Sequence, residues 1–171
     1  MKIALFGGTF DPIHDGHIAV AETVLKKLKL DQVWFIPAGN PPLKNKCMFS
    51  FDQRINMIKE KINYNPAFST YVNDIRDEDK SYTIYLINDI KKTYPDDFFY
   101  FVIGADNVTK LKHWYKFDIL IDLIDFVVLD RETPDKNEWN KLDYYNKLIF
   151  VDMPIINISS TEIRKNLYGT H

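Results

Sequence analysis

Six short apolar runs, separated by stretches with helical spacing, constrain this chain more than any other feature of it. The runs are residues 2–6 (KIALF), 32–36, 68–72, 98–103, 126–129 and 148–151. Several are apolar throughout rather than alternating, the pattern of strands covered on both faces. One intervening segment, residues 16–28, places Ile18, Ala21, Val24, Leu25 and Leu28 on a single stripe. A second starts at Ser50, where Ser-Phe-Asp-Gln reads as a capping box with Ile55, Ile58 and Ile62 facing inward. Others follow Ser81–Thr83 and cover about 106–114, 117–123, 138–145 and 160–167. Such alternation predicts an α/β protein with a Rossmann-like open parallel sheet and helices on both faces. Right-handed crossovers leave few topologies. With 171 residues and neither repeat nor linker, one domain is expected.

In such a sheet, ligands sit beyond the strand carboxyl ends, where strand order reverses. Two runs end in glycine: the first, at Gly7 and Gly8, and the fourth, at Gly104. If these strands are neighbours, Gly8, His17, Gly104 and Asp106 converge on one crevice.

A net charge of −2 provides no broad basic face and argues against a nucleic-acid partner. The one cysteine, Cys47, excludes an internal disulfide and fits a reducing compartment. Lys2 is followed by only four apolar residues before the glycines, which is no signal peptide. No apolar run approaches a membrane span. A cytoplasmic protein is expected. The loop at 38–49 (AGNPPLKNKCMF) fits a functional loop and a solvated excursion equally well.

The first strand runs into GGTFDPIHDGHI, residues 7–18. This matches neither the dinucleotide G-x-G-x-x-G motif nor a phosphate loop ending in G-K-[ST]. Its physics still suits an anion. A helix beginning near Gly16 turns free N–H groups and a positive dipole end toward the strand end. Gly7 and Gly8 permit close approach of a ligand to the backbone. His14 and His17 can each offer a ring N–H at the helix mouth. Zinc is disfavoured, because no cysteine and no third histidine stand nearby in sequence. Structural histidines and turn-forming glycines remain alternatives for each residue singly; the conjunction favours an anion site. Asp11 and Asp15 are expected to shape the turn.

Near the other end stands NISSTEIR, residues 157–164. Ser159 and Glu162 form a capping box, Ser160 and Thr161 fill the first turn, and Arg164 follows. A dipole, hydroxyls and a planar guanidinium then point at one volume. On this segment alone, an ordinary capped helix with a surface arginine is the simpler account.

Together the two segments resemble the H-x-G-H and I-S-S-T-x-I-R signatures of the nucleotidyltransferase superfamily of adenylyl- and cytidylyltransferases. The middle of the chain is similar to bacterial nicotinate-nucleotide adenylyltransferases in particular. YFVIGADNVTKLKHWYKFDIL (100–120) resembles their F-I-x-G-x-D…L-x-x-W segment, SYT (81–83) their S-Y-T element, and VVLDR, ending at Arg131, also matches. NPPLK (40–44) resembles their P-P-H-K loop, with Leu43 in place of the histidine and Lys44 retained. Pantetheine-phosphate adenylyltransferases share the end motifs but not the S-Y-T and G-A-D…W elements. The family usually continues past the last motif; this chain ends at His171, so a single domain over 1–171 lacking that extension is expected.

The resemblance implies transfer of AMP from ATP to nicotinate mononucleotide. It gives Gly8, Thr9, Phe10, His14, His17, Gly104, Asp106, Ser159, Ser160, Thr161 and Arg164 to ATP, with His14, His17 and Arg164 catalytic. Lys44, Thr83, Trp114, Tyr115 and Arg131 go to the mononucleotide. Without the resemblance, Trp114 fits a half-buried core residue equally well. A free histidine titrates near ~6.5, and an adjacent triphosphate is expected to favour its protonated form. Mg²⁺ is expected on the phosphates rather than in a protein cage. The partners implied are the two nucleotides, without nucleic acid or membrane, with self-association left open. Alternatives are an acceptor that is nicotinamide mononucleotide or phosphopantetheine, and a nucleotide sensor without turnover.

Overall fold

The strands are β1 (Lys2–Gly8), β2 (Gln32–Pro37), β3 (Phe68–Thr70), β4 (Phe98–Gly104), β5 (Asp125–Asp130) and β6 (Leu148–Asp152). They form one sheet in the order β3–β2–β1–β4–β5–β6, with every ladder parallel. This computed structural model describes residues 1–39, 47–72, 82–130, 136–153 and 159–168. The order reverses between β1 and β4, so the two glycine-ended strands are neighbours, as expected. Their ladder pairs Phe6 with Val102; two residues further along each strand stand Gly8 and Gly104.

Successive residues of β1 feed opposite cores, as the pleat requires. Ile3 and Leu5 join a cluster with Ile84, Ile87, Ile90, Val108, Leu111 and Leu120. Ala4 and Phe6 join another with Ile18, Val20, Ala21, Val24, Ile58 and Ile62. One face is therefore covered by helices α1 (Asp15–Lys27) and α2 (Phe51–Ile62). The other is covered by α3 (Thr83–Thr93), a 3-10 helix (Ala105–His113) and α4 (Phe117–Leu123). Ile3, Ala4 and Leu5 are fully buried. Burying a Leu or Ile side chain is worth roughly 1.5–3 kcal/mol, which fixes β1, and hence the glycines at its end, at the centre of the molecule.

The expected helix over 106–114 is a 3-10 helix ending at His113. The expected helix over 138–145 is replaced by one turn, α5 (Lys136–Trp139), and a 3-10 turn (Tyr145–Lys147). Aromatic anchoring overrides helical continuation there. Trp139 is buried and stacks on Phe150 at 5.6 Å, and the Tyr144 hydroxyl donates to the Val108 carbonyl at 2.8 Å. β3 ends at Thr70 rather than at 72. The last helix, α6, spans Ser160–Tyr168. Among the described residues no helix is long and apolar enough to cross a membrane.

Candidate active site

At the end of β1 the backbone turns under its own side chain. A Cβ at Gly8 would lie 3.0 Å from the Phe10 ring, so only glycine leaves that ring in place. Phe10 is buried, with φ of 47°, in the left-handed region that costs a non-glycine residue about 1–2 kcal/mol. Contacts of its ring with Phe6, Phe35 and His17 offset that cost. The Asp11 carboxylate is buried and accepts the main-chain N–H groups of Met48 and Phe49, each at 2.9 Å. Asp11 thus shapes the turn and ties it to the segment entering α2. Asp15 instead opens α1 and pairs with Lys61, whose hydrogen bond and charge hold its carboxyl below the usual value.

The two histidines cap α1. Nδ1 of His14 accepts the N–H of Gly16 at 3.1 Å, and Nδ1 of His17 accepts the N–H of His14 at 3.2 Å. Their rings stack with centroids 3.8 Å apart. This is a capping box built from imidazoles, each taking a donor left orphaned at the helix start. A neutral ring whose Nδ1 accepts a backbone N–H carries its proton on Nε2. Each ring is oriented by the helix itself, with Nε2 as the nitrogen that the cap does not use.

The C-terminal motif closes on the same turn. Ser159 caps α6 by accepting the Glu162 N–H at 3.2 Å, as expected. The Ser160 hydroxyl donates to the Pro12 carbonyl at 3.0 Å. Arg164 donates to the Asp11 carbonyl and lies 3.7 Å from its carboxylate. A second arm of the same guanidinium reaches Thr161 Oγ1 at 3.2 Å. The two motifs therefore meet at residues 11 and 12, just before His14.

On the neighbouring strand, a Cβ at Gly104 would meet Asp106 Oδ1 at 2.6 Å, so the carboxylate folds back over the strand end. Further on, a cavity of about 250 Å³ is lined by Tyr82, Thr83, His113, Trp114, Tyr115 and Leu120. Three expected mononucleotide residues, Thr83, Trp114 and Tyr115, thus share one wall. Trp114 is half-buried, edge-on to Phe101 and Phe126, which leaves the indole held rigidly between core and cavity. Tyr82 stacks on Tyr115 at 4.6 Å. A hydrogen bond with Tyr115, then desolvation, pushes the Tyr85 phenol above its ordinary value.

A family model described as cytidylyltransferase-like matches residues 5–166. The nicotinate-nucleotide adenylyltransferase of Bacillus subtilis is 39% identical, the match covering 96% of this chain and 84% of that protein. A Bacillus licheniformis protein named "Probable nicotinate-nucleotide adenylyltransferase" is 40% identical over 97% of this chain and 85% of its own length. The chain belongs to the nicotinate-nucleotide adenylyltransferase family. A solved structure, the Plasmodium falciparum nicotinic acid mononucleotide adenylyltransferase complexed with NaAD, superposes with a TM-score of 0.73 at 22% identity. That match covers 96% of this chain and 82% of the other, and shows the shared fold.

For a member of this family, the described residues gather the expected Gly8, Thr9, Phe10, His14, His17, Ser160, Thr161 and Arg164 around the β1 turn, with Gly104 at the end of the adjacent strand and Asp106 in the 3-10 helix that follows it. Lys44 and Arg131, together with Leu43 and Ser81, lie outside the described residues. Sequence reasoning missed Tyr82 and His113 in the cavity wall, and it missed Arg54. That residue is fully buried on α2, donating to the carbonyls of Thr9 at 2.6 Å and Ala38 at 2.8 Å. The signal was present: Arg54 falls on one helical row with Ile58 and Ile62, a charge on an otherwise apolar stripe.

Proposed function

We propose that this chain transfers the adenylyl group of ATP to nicotinate mononucleotide, giving nicotinate adenine dinucleotide and pyrophosphate in NAD biosynthesis in the cytoplasm. What carries the reading is the joint at residues 11 and 12, where Ser160 and Arg164 engage the turn that leads into the histidine pair.

A phosphate oxygen of the mononucleotide attacks the α-phosphorus of ATP. A P–O bond forms there as the bond from the α-phosphorus to the α,β-bridging oxygen breaks, and pyrophosphate leaves with that electron pair. The second pKa of a phosphate monoester is near ~6, so the nucleophile is already ionised at neutral pH and needs no general base. Catalysis is then alignment plus neutralisation of charge on the transferring and leaving groups. His14 and His17 supply Nε2–H donors. Gly8, Thr9 and Phe10 let the polyphosphate approach the backbone, and Arg164 with Ser159, Ser160 and Thr161 serves its far side. Gly104 and Asp106 receive the adenosine ribose. Thr83, Trp114 and Tyr115 hold the pyridine ring, which stacks well on indole. Lys44 and Arg131 serve the mononucleotide phosphate end.

Mg²⁺ enters with ATP, on the phosphates.

The test is pyrophosphate release from ATP and Mg²⁺ with nicotinate mononucleotide, nicotinamide mononucleotide or phosphopantetheine as acceptor. Fastest turnover with the nicotinate form is expected. Preference for another acceptor would change the substrate, and binding of ATP without release from any acceptor would make the chain a sensor.

A further inference from the structure

Among the described residues Arg54 is the largest side chain to be fully buried, and both of its hydrogen bonds go to backbone carbonyls. Its Nε and second terminal nitrogen are buried and have no hydrogen-bond partner among the described residues. The Phe51 ring lies 5.3 Å from the guanidinium carbon. A buried cation without a carboxylate is costly, and an apolar residue of similar volume would pack there at no such cost. The carbonyls it holds mark the ends of two adjacent strands: Thr9 just after β1, Ala38 just after β2.

We propose that Arg54 is a positioning residue for the polyphosphate of ATP, acting through the Thr9–Phe10 and Ala38–Gly39 peptides. A trans peptide points its C=O and N–H in opposite directions. Drawing both carbonyls inward toward Arg54 turns the Phe10 and Gly39 N–H groups outward, to the mouth of the crevice. Neither N–H donates to another described residue. The left-handed backbone at Phe10 is a conformation that something must impose, and Arg54 grips the peptide that precedes it. With Nδ1 of each histidine held by the cap, Nε2 is left as the ring donor, and the buried cation completes a set of fixed dipoles for one anion. Among the described residues no carboxylate pairs with its charge, and a bound polyphosphate supplies that counter-charge.

This inference rests on the reading that the end of β1 receives ATP, and the experiment separates the two. ATP binding is measured by calorimetry for the wild-type chain, Arg54→Met and Arg54→Lys, with thermal midpoints and with KM for ATP and for the acceptor. Wild-type protein that fails to bind ATP would remove the underlying reading. Given wild-type binding, Arg54→Met is expected to weaken ATP at least tenfold and raise KM for ATP, with KM for the acceptor changed less than threefold. Its thermal midpoint is expected to hold or rise, because the unpaired charge is gone. Arg54→Lys keeps the charge but cannot span both carbonyls, and is expected to recover part of the affinity. ATP affinity unchanged in Arg54→Met, or lost equally for both substrates, would overturn the proposal. If Arg54→Met does not fold, Arg54→Lys decides: a threefold to tenfold loss of ATP affinity with a retained midpoint supports it, and wild-type affinity overturns it.

Discussion

Arg164 on the last helix donates to the main-chain oxygen of Asp11, 153 residues earlier in the chain. The same guanidinium faces the Asp11 carboxylate and reaches Thr161. One planar fork therefore locks the C-terminal motif onto the turn that launches α1. It does so at the surface, with the Arg164 side chain about one-third exposed, so the guanidinium remains within reach of a bound anion.

Arg164→Ala removes a charged donor from that junction. Hydrogen bonds to charged groups are worth about 1.5–3 kcal/mol, so KM for ATP is expected to rise roughly tenfold to a hundredfold. Arg164→Lys restores the charge without the fork and is expected to recover only part of the loss. Steady-state kinetics with ATP varied check this; unchanged KM and kcat in Arg164→Ala would leave Arg164 as a structural tie alone.

The imidazole capping box allows the two nitrogens of His17 to be separated by substitution. Asparagine can present an oxygen where Nδ1 lies, preserving the cap, but has no group at Nε2. Glutamine can present a donor near Nε2 but does not place an acceptor at Nδ1. His17→Asn is expected to keep the thermal midpoint and lose about 10²–10³ in kcat, the cost of removing one preorganised donor. His17→Gln is expected to lose about 1 kcal/mol of stability with the cap and to retain more of the rate. Rates that rank the other way would place the catalytic donor elsewhere.

Much of this was legible before any coordinates. Fully apolar runs such as that at residues 2–6 could only be strands covered on both faces, and two glycine-ended strands pointed to the switch point. The capping residues Ser50 and Ser159 were readable because their partners lie three positions on. The segment from 138 to 145 was not, since the pull of Trp139 and Tyr144 toward the core depends on Phe150 and Val108, contacts that local spacing does not encode. The histidine rings were read as donors only; that each also accepts a backbone N–H follows from helix geometry at the cap. Arg54 was hidden for the opposite reason: its place on the apolar row of α2 was visible, but its carbonyl partners belong to two other loops.

Asp11→Asn tests the tie between the turn and the entry to α2. The carboxylate accepts from Met48 and Phe49 with its two oxygens; an amide there sets its own N–H₂ against one of those donors. Leaving one buried N–H unsatisfied costs about 1–3 kcal/mol. For a chain of this length each kcal/mol lowers the midpoint by about 2–4 °C, so a fall of roughly 3–10 °C is expected in thermal unfolding followed by circular dichroism. A change below about 1 °C would mean that these bonds do not hold the segment.

Gly104→Ala probes the other wall of the crevice. The added methyl would stand 2.6 Å from Asp106 Oδ1, closer than any real contact, so the short carboxylate side chain must rotate away. Gly104 has a negative φ of −74°, so the alanine backbone itself is unstrained and the protein is expected to fold normally. If Asp106 receives the ribose, displacing its carboxylate raises KM for ATP several-fold while the thermal midpoint barely moves. Asp106→Ala alone should reproduce that rise. Because both substitutions act on the same carboxylate, the double variant is expected to be no worse than Asp106→Ala, a non-additivity that independent effects would not produce. Additive losses in the cycle would show that Gly104 contributes something of its own, such as backbone that the nucleotide must approach.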